Sequence, residues 1–293
     1  GDPPNFADVA SAANPGGLTF NLSGGTQNRA LTDSGLSGKA GLEFQLTPQQ
    51  LLYASLSRGE KSGGFTAHNT LSASAVDPFK PEHLTALEVG AKNDLSAQLR
   101  VNVSLFHYEY RDQQILSKVF DSVSQSYVGR FVNAPKSRID GGELEVQWRP
   151  LEGLEVSQYV AYKQGKFTAS ILNSSDVDFN GHDIDFPKLS YGGQVAYTVP
   201  VGAFNLRTQA NYSYHDDYPQ LFLLGPTFTN PAYWLANASL SVSPAKGQWD
   251  LSLWVHNATN ERYSLTRNFF LPGTNVAAPG QPTTVGLRLK WSI

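Results

Sequence analysis

The sequence predicts an all-β protein that crosses a membrane as a transmembrane antiparallel β-barrel, with about eleven strands in this chain. Aromatic residues make up 12% of it, and 26 Gly and 17 Pro interrupt it at short intervals. This composition favours strands joined by many turns. No run approaches the roughly 18 apolar residues that a membrane-spanning helix requires, so a chain that meets lipid here does so as a closed barrel.

Alternation of apolar and polar residues is the second observation. It is clearest at 204–214, where one face of the predicted strand carries Phe204, Leu206, Ala210, Tyr212 and Tyr214. The opposite face carries Asn205, Arg207, Gln209, Asn211 and Ser213. Residues 144–148, 249–256 and 285–291 repeat the pattern. Because the polar sets include charged residues, they are expected to face water rather than a second sheet.

The lengths of the connections are the third observation. Eleven strands are predicted at 36–46, 51–59, 83–95, 98–116, 128–149, 154–168, 186–198, 204–215, 233–243, 249–258 and 282–292. Short turns between them alternate with long loops, which are predicted at roughly 60–82, 117–127, 169–185, 216–232 and 259–281. This alternation is typical of an outer-membrane barrel with periplasmic turns and extracellular loops, and a soluble β-sandwich has no reason for it.

The alternating direction of the eleven strands gives the predicted domain organisation. If the last strand ends in the periplasm, residues 1–35 form an extracellular loop or irregular segment, and residues 36–293 form the C-terminal half of a barrel. An open sheet of about eleven strands would leave two unpaired edges in hydrocarbon, where each orphaned backbone group is costly. We therefore expect an N-terminal half that completes a barrel of about 22 strands.

The two faces of the strands have different expected surroundings. Aromatic residues at strand ends are predicted to lie at the membrane interfaces, namely Trp148, Tyr162, Tyr191, Tyr197, Tyr212, Tyr214, Trp249 and Trp291. The alternative is that they form the core of a soluble sandwich. The opposite face is predicted to line the lumen with Glu88, Lys92, Arg100, Glu143, Glu145, Arg207 and Arg288, since charges are unfavourable near the bilayer midplane.

Several classes of function are excluded by composition. The chain has no cysteine, which removes disulfide scaffolds, zinc ribbons and thiol catalysis. A net charge of -3 with dispersed Lys and Arg argues against a nucleic-acid groove. No nucleophile elbow or metal-binding helix motif is present, so the protein is not predicted to be an enzyme, and no catalytic residue, metal site or cofactor is expected.

Several segments of the chain resemble one known family. Residues 52–65 read LYASLSRGEKSGGF and resemble the LYASYSRGFKSGGF segment of TonB-dependent receptors of the iron-complex type. Residues 106–114 (FHYEYRDQQ) are similar to FYYDYKDLQ, and residues 133–145 (NAPKSRIDGGELE) to NAGKARIYGLELE. Residues 81–92 and 255–263 resemble the PE…YELGLK and GRNLTDKRY segments. In order and spacing, the resemblance extends over residues 36–293.

Two features depart from that family. Its barrels usually end in an aromatic residue that the assembly machinery reads, whereas this chain ends Trp291-Ser292-Ile293. The family's N-terminal plug domain and TonB-contacting segment have no counterpart in the sequence. With these two departures, the resemblance concerns the barrel wall and its loops.

The resemblance implies energised import across the outer membrane of a Gram-negative bacterium, most simply of a ferric siderophore or similar iron complex. The implied partners are the TonB-ExbB-ExbD complex acting through a plug, the N-terminal half of the same barrel, outer-membrane lipid and lipopolysaccharide, and a small-molecule substrate. Alternatives are a passive porin, a barrel enzyme, uptake of a saccharide, aromatic compound or cobalamin, and a soluble carbohydrate-binding β-protein.

Candidate substrate-binding residues lie near the predicted extracellular ends. They are Arg58, Lys61, His68, Tyr127, Arg130, His182, His215, Asp217, Arg262 and Arg267. Arg, His and Tyr suit an anionic or aromatic iron chelate. For each of them the alternative is a solvated residue of the rim, a polar cap of a strand, or a contact to lipopolysaccharide phosphates.

Overall fold

The computed structural model describes residues 18–22, 25–66, 78–121, 125–171, 178–219, 229–271 and 274–291. Nineteen strands in these ranges are numbered β1–β19 in chain order. Eight of them form four two-stranded pairs: β1 (Leu18–Leu22) with β2 (Gly25–Arg29), β5 (Gly64–Phe65) with β6 (Pro78–Phe79), β13 (Tyr218–Pro219) with β14 (Thr229–Asn230), and β17 (Ser264–Leu271) with β18 (Thr274–Pro279).

The other eleven strands form a single antiparallel sheet. They are β3 (Gly38–Thr47), β4 (Gln50–Lys61), β7 (Glu82–Ser96), β8 (Leu99–Asp121), β9 (Ser126–Trp148), β10 (Leu154–Phe167), β11 (Leu189–Val201), β12 (Phe204–His215), β15 (Tyr233–Pro244), β16 (Trp249–His256) and β19 (Thr284–Trp291). Each pairs with the next in chain order, so the sheet is an up-and-down meander with β3 and β19 at its edges. The predicted all-β fold and its eleven strands are confirmed.

The connections differ at the two ends of the sheet. At one end, which we call the turn end, two to five residues join neighbouring strands, as at 48–49 and 149–153. At the other, the loop end, the chain makes longer excursions such as 168–188 and 257–283. The described part of the chain contains no helix long and apolar enough to cross a membrane.

Five segments predicted to be loops contain strand pairing. The shortest pairs are β5–β6 within 60–82 and β13–β14 within 216–232. Residues 117–127 were predicted to be a loop, but β8 and β9 stay paired as far as Asp121 and Ser126. Residues 259–281 contain the β17–β18 hairpin, and the N-terminal segment 1–35 contains the β1–β2 hairpin. A hairpin beyond the sheet has no face that must be apolar. The alternation of apolar and polar residues that marks the barrel strands is therefore not expected in its sequence.

The register separates the side chains into an apolar face and a polar face. Leu253 pairs with Leu240 and Leu287 on the first, whereas Ser252 pairs with Ser241 and Arg288 on the second. Large apolar side chains of the first face are open, for example Leu287 at 73% exposed. The described hydrophobic residues that are buried are few, namely Ala134, Phe167, Ile171, Phe179 and Ala196. A sheet with its apolar face outward and no conventional core fits a barrel wall in lipid.

Aromatic rings collect on the apolar face near both ends. At the turn end Phe204 lies 6.1 Å from Trp249, and Trp249 pairs with Trp291. At the loop end Trp234 lies 5.1–5.6 Å from the rings of Tyr191, Tyr212 and Tyr214. All eight aromatic residues predicted for the membrane interfaces share this face by register. Their position at the bilayer boundaries stays a prediction, to which the structure adds Phe204 and Trp234.

A polar contact lies within this apolar face. Gln158 of β10 stands opposite Gly193, which in turn pairs with Tyr212. The side chain of Gln158 occupies the space beside Gly193, where an added Cβ would lie 2.2 Å from its Oε1 atom. The Tyr212 hydroxyl donates a hydrogen bond to that oxygen. The glycine thus makes room for an amide whose oxygen is satisfied by a tyrosine two strands away.

Replacing Tyr212 by Phe is expected to lower the free energy of unfolding of the complete protein in lipid by about 1–2 kcal/mol. The substitution leaves the Gln158 amide oxygen without its donor in an apolar setting. Reversible denaturant unfolding measures the effect. Tyr197→Phe is the matched control, since its hydroxyl makes no such bond on the same face. In a Gln158→Leu background the Tyr212→Phe cost should vanish, and a cost that persisted there would contradict the assignment.

Candidate functional site on the polar face

The polar face carries an acidic recess between β4 and β9. Glu88, Glu143 and Glu145 line it together with Tyr53 and Lys92, in a space of about 170 Å³. The Tyr53 hydroxyl donates to Glu88 Oε1 at 2.7 Å, and the Lys92 ammonium lies 5.7 Å from the centre of the Tyr53 ring. Three carboxylates against one ammonium make this recess suited to a cationic or hydrogen-bond-donating occupant.

A second recess, rich in amides and hydroxyls, lies between β12 and β19. It has a volume of about 290 Å³, and its lining includes Arg207, Asn211, Asn237, Trp254 and Arg288. The Asn237 amide donates to Asn211 Oδ1 at 2.7 Å, and Arg207 binds Glu155 at 3.1 Å. Arg288 has no ion-pair partner among the described residues. This side of the wall is therefore suited to a neutral polar or anionic occupant.

Four aromatic rings lie flat along the polar face, each over a glycine of the neighbouring strand. They form the pairs Tyr53–Gly90, Phe106–Gly141, Tyr159–Gly192 and Trp254–Gly286. An added Cβ at any of these glycines would lie 2.3–2.9 Å from a ring atom. The glycines thus keep large side chains against the wall and leave the space in front of it open.

Two polar side chains anchor the segment 62–81 at the loop end. Gln114 donates from Nε2 to the backbone oxygens of Ser62 at 2.8 Å and Lys80 at 3.1 Å. Asn133 donates to Lys80 O at 2.9 Å and accepts from Lys80 N at 2.8 Å. The carboxylate of Glu82 accepts from the Gln114 backbone amide at 2.6 Å. Both ends of this loop are therefore tied to β8 and β9.

Asn257 has the same role at the other side of the rim. It is 4% exposed, has a φ of 49°, and donates from Nδ2 to the backbone oxygens of Glu261 and Gln281, both at 2.9 Å. Its Oδ1 accepts from Glu261 N at 2.8 Å, and its backbone amide donates to Asn237 Oδ1. One side chain therefore connects β16, the loop that follows it, and the approach to β19.

The loop 168–188 has a small core of its own. Phe167, Ile171 and Phe179 pack with Ala134 of β9. Asp178 caps the loop, since its Oδ1 accepts from the backbone amides of Asn180 at 3.0 Å and Ile171 at 3.1 Å. These bonds, the one from Asn180 first, hold the pKa of the Asp178 carboxyl below its usual range.

The depressed pKa of Asp178 predicts an acid-sensitive loop. The carboxylate stabilises the loop above the ordinary aspartate pKa of about 3.9, and this stabilisation is lost as pH falls through the lower folded value. Hydrogen-exchange protection of the Ile171 and Asn180 amides is expected to fall in that acid range. In an Asp178→Asn variant the protection should no longer depend on pH there. The same acid loss in wild type and variant would exclude Asp178 as its cause.

The predicted substrate-binding residues fall into separate sectors of the loop end. His215 ends β12 with its ring 5.2 Å from that of Tyr233, which stacks on Tyr263 at 4.9 Å. Asp217 and Arg262 are exposed in the adjoining loops. Lys61 ends β4, and Arg58 shares a face with Leu52 and Leu56 rather than with the polar residues.

The other candidates lie elsewhere on the rim or outside the described residues. The His182 ring lies 5.2 Å from Phe179, and Arg130 is half-buried in β9. His68 lies outside the described residues, as do the side chains of Tyr127 and Arg267. The described candidates therefore lie on several different strands and loops of the rim. No group of three or more potential metal-binding side chains occurs in the described part of the chain.

Residues 10–258 match the family described as TonB dependent receptor-like, beta-barrel. The chain belongs to this family. The resemblance seen in the sequence motifs is confirmed, and barrels of this receptor family are outer-membrane proteins. The family consists of receptors and transporters rather than enzymes, in agreement with the sequence prediction.

Solved structures of receptors resemble this receptor barrel along most of its length. The ferric yersiniabactin uptake receptor FyuA from Yersinia pestis aligns with a TM-score of 0.73 at 20% identity, covering 91% of this chain and 38% of that protein. The siderophore receptor PiuA from Acinetobacter baumannii gives 0.71 at 18%, covering 94% and 38%. The copper transporter OprC gives 0.65 at 17%, covering 88% and 39%. At such identities these likenesses show the fold, and the chain spans about two fifths of each protein.

The anchoring residues Gln114, Asn133 and Asn257 were not singled out by sequence reasoning. A signal for them was present, because each lies within a segment that resembles a family motif, in the part of a predicted strand that borders a long loop. Their function in the receptor barrel is structural, since they fix the ends of the loops that border the polar face.

Proposed function

We propose that this chain forms the C-terminal half of the barrel of a TonB-dependent transporter, which imports a ferric siderophore or similar iron complex across the outer membrane of a Gram-negative bacterium. The observation that supports this proposal most strongly is the eleven-stranded sheet with an apolar face outward and a charged face inward. The family membership supports energised transport, and the names of FyuA and PiuA support an iron chelate as substrate.

The open edges of the sheet support a partner half in the same barrel. Among the described strands, β3 and β19 each have a neighbour on one side only. In hydrocarbon, each unpaired amide or carbonyl along these edges costs several kcal/mol. An N-terminal half of about equal size would pair with both edges and close a barrel of about 22 strands.

The two recesses support a folded occupant of the lumen. A plug that presents cations toward Glu88, Glu143 and Glu145, and polar or anionic groups toward Arg207 and Arg288, would match the wall electrostatically. TonB-ExbB-ExbD would then act on the plug. The small-molecule substrate would meet the loop end first, where His215 adjoins the stacked rings of Tyr233 and Tyr263. Asp217 and Arg262 are exposed in the loops that follow β12 and β16.

Uptake by whole cells tests this function. Deletion of the complete gene is expected to abolish growth under iron limitation on one ferric siderophore, and re-expression to restore it. Uptake of the radiolabelled iron complex should stop in a strain without TonB or after a protonophore. Uptake that continued in both, together with steady ion conductance of the purified receptor, would instead establish a passive porin.

A non-iron substrate is the second candidate, favoured by the likeness to the copper transporter OprC. The same deletion strain, grown on limiting copper, cobalamin, saccharide or aromatic carbon sources, separates these substrates. A growth defect on one of them with normal iron uptake would overturn the iron assignment and leave the transporter assignment in place.

A further inference from the structure

The β8–β9 hairpin extends beyond the wall at the loop end. Neighbouring strands cover its lower part, since β7 pairs with β8 as far as Arg111 and β10 pairs with β9 as far as Ser137. Beyond these points the described residues 113–121 and 126–134 pair with each other as a two-stranded ribbon. A ribbon of two strands is only marginally stable alone in water. Its order therefore depends on what packs against its faces.

The segment 62–81 packs against one face of the ribbon. The backbone amide of Phe131 donates to Thr66 Oγ1 at 2.9 Å, and Thr66 is buried. The rings of Phe131 and Phe79 lie 5.2 Å apart. Asn133, two residues further along β9, binds the backbone near the other end of the segment at 2.8 and 2.9 Å. Both described ends of the segment are thus held by the ribbon.

The loop 168–188 packs against the ribbon as well. Ala134 of β9 is fully buried in the small core that contains Ile171 and Phe179. Val132 packs against the same core. This loop therefore obtains part of its apolar core from the ribbon.

The contacts alternate along β9 between the two loops. Phe131 and Asn133 contact the segment that precedes β7, whereas Val132 and Ala134 contact the loop that follows β10. Successive side chains of a strand point to opposite faces, so the ribbon lies between the two loops. Each loop therefore packs on a ribbon whose other face the other loop supports.

We propose that the ribbon couples segment 62–81 to loop 168–188, so that the two become ordered or disordered as one cooperative unit. Local opening of a protein proceeds in contiguous units that share packing. A ribbon that loses the cover of one face loses part of the support that keeps it ordered. Linkage makes the coupling reciprocal, so an occupant that orders either loop also orders the other without touching it. This inference concerns the loop end alone and does not rest on the identity of the transported substrate.

Hydrogen exchange of the complete receptor, resolved to single amides, tests the coupling in both directions. Phe179→Ala opens a cavity in the core of loop 168–188. Exchange of the Phe131 amide, which is bonded to Thr66 of the other loop, should then accelerate by about fivefold or more. Thr66→Val removes the acceptor of that amide and keeps the size of the side chain. Exchange of the Phe179 amide, bonded to Ile171 O at 2.9 Å, should accelerate in turn.

Asn257→Ala is the control, because it loosens the loop that follows β16 in a different part of the rim. It should leave the exchange of the Phe131 and Phe179 amides unchanged. Acceleration confined to the mutated loop would overturn the proposal. Equal acceleration of the Phe131 and Glu261 amides by Phe179→Ala would also overturn it, since that result shows general destabilisation of the barrel.

The heat-modifiable gel shift verifies that each variant is folded. Phe179→Leu, a smaller change in the same core, replaces Phe179→Ala if the latter does not fold, and the same two amides are then compared. Transport is not measured in these experiments. A failure of the coupling therefore leaves the proposed function unaffected, and the uptake experiments can fail while the coupling holds.

Discussion

Replacing Val103 by Arg is expected to destabilise the receptor in lipid by about 2–4 kcal/mol, because an arginine on the outward face near the bilayer midplane loses its hydration. Val103 pairs with Ala91 and Leu144 on the apolar face. The aligned residue Leu144 lies four residues from Trp148, about 13 Å along the strand. Denaturant unfolding of the complete receptor in vesicles measures the change.

The neighbouring residue Ser104 provides the control. Its side chain lies on the polar face, paired with Gly90 and Glu143. Ser104→Arg introduces the same group one residue away but directs it toward the acidic recess, so we expect little loss of stability. Equal costs at the two positions would mean that the face assignment is wrong. A reversed order would indicate that the polar face is the one in contact with lipid.

Replacing Asn257 by Ala is expected to destabilise the segment 257–263 by about 3 kcal/mol. The change removes three hydrogen bonds of a buried side chain and leaves their backbone partners unsatisfied. It also puts alanine, whose side chain cannot form a local hydrogen bond, at a φ of 49°. Limited proteolysis within 257–283 and hydrogen exchange of the Glu261 amide measure the effect.

Two variants separate the contributions. Asn260 has a φ of 53° but is exposed, and its Oδ1 accepts a single 3.3 Å bond from Thr283 N. Asn260→Ala therefore tests backbone strain with little loss of bonding and should cost about 1 kcal/mol. Asn257→Gly removes the same side chain as Ala without the strain. If Asn257→Ala and Asn260→Ala behaved alike, Asn257 would not be the anchor of the loop.

The strands that face lipid on one side and water on the other were predictable because burial imposes a strict period of two on them. Leu251, Leu253 and Val255 alternate with Asp250, Ser252 and His256, and the structure places the two sets on opposite faces. Where neither face of a strand is buried, the sequence did not predict the strand. The extension of β8 and β9 beyond the sheet and the β17–β18 hairpin lie outside the apolar band, so residues 117–127 and 259–281 were assigned as loops.

The candidate binding residues show the same limit. Their types and their position near strand ends were available from the sequence, but not their faces or neighbours. Arg58 was a substrate candidate, and the register places it on the outer face in a row with Glu109 and Lys166. Substrate contact at any of the candidate residues stays a prediction.

The sequence by itself determined the strand number, the alternation of turns and loops, and the family, because local periodicity and short motifs carry that information without any long-range contact. Only the tertiary structure decided which residues meet across strands. The row of Arg58, Glu109 and Lys166 joins residues more than 100 positions apart, and the Gln158–Tyr212 bond spans 54. Such pairs depend on register between strands, which no single strand encodes.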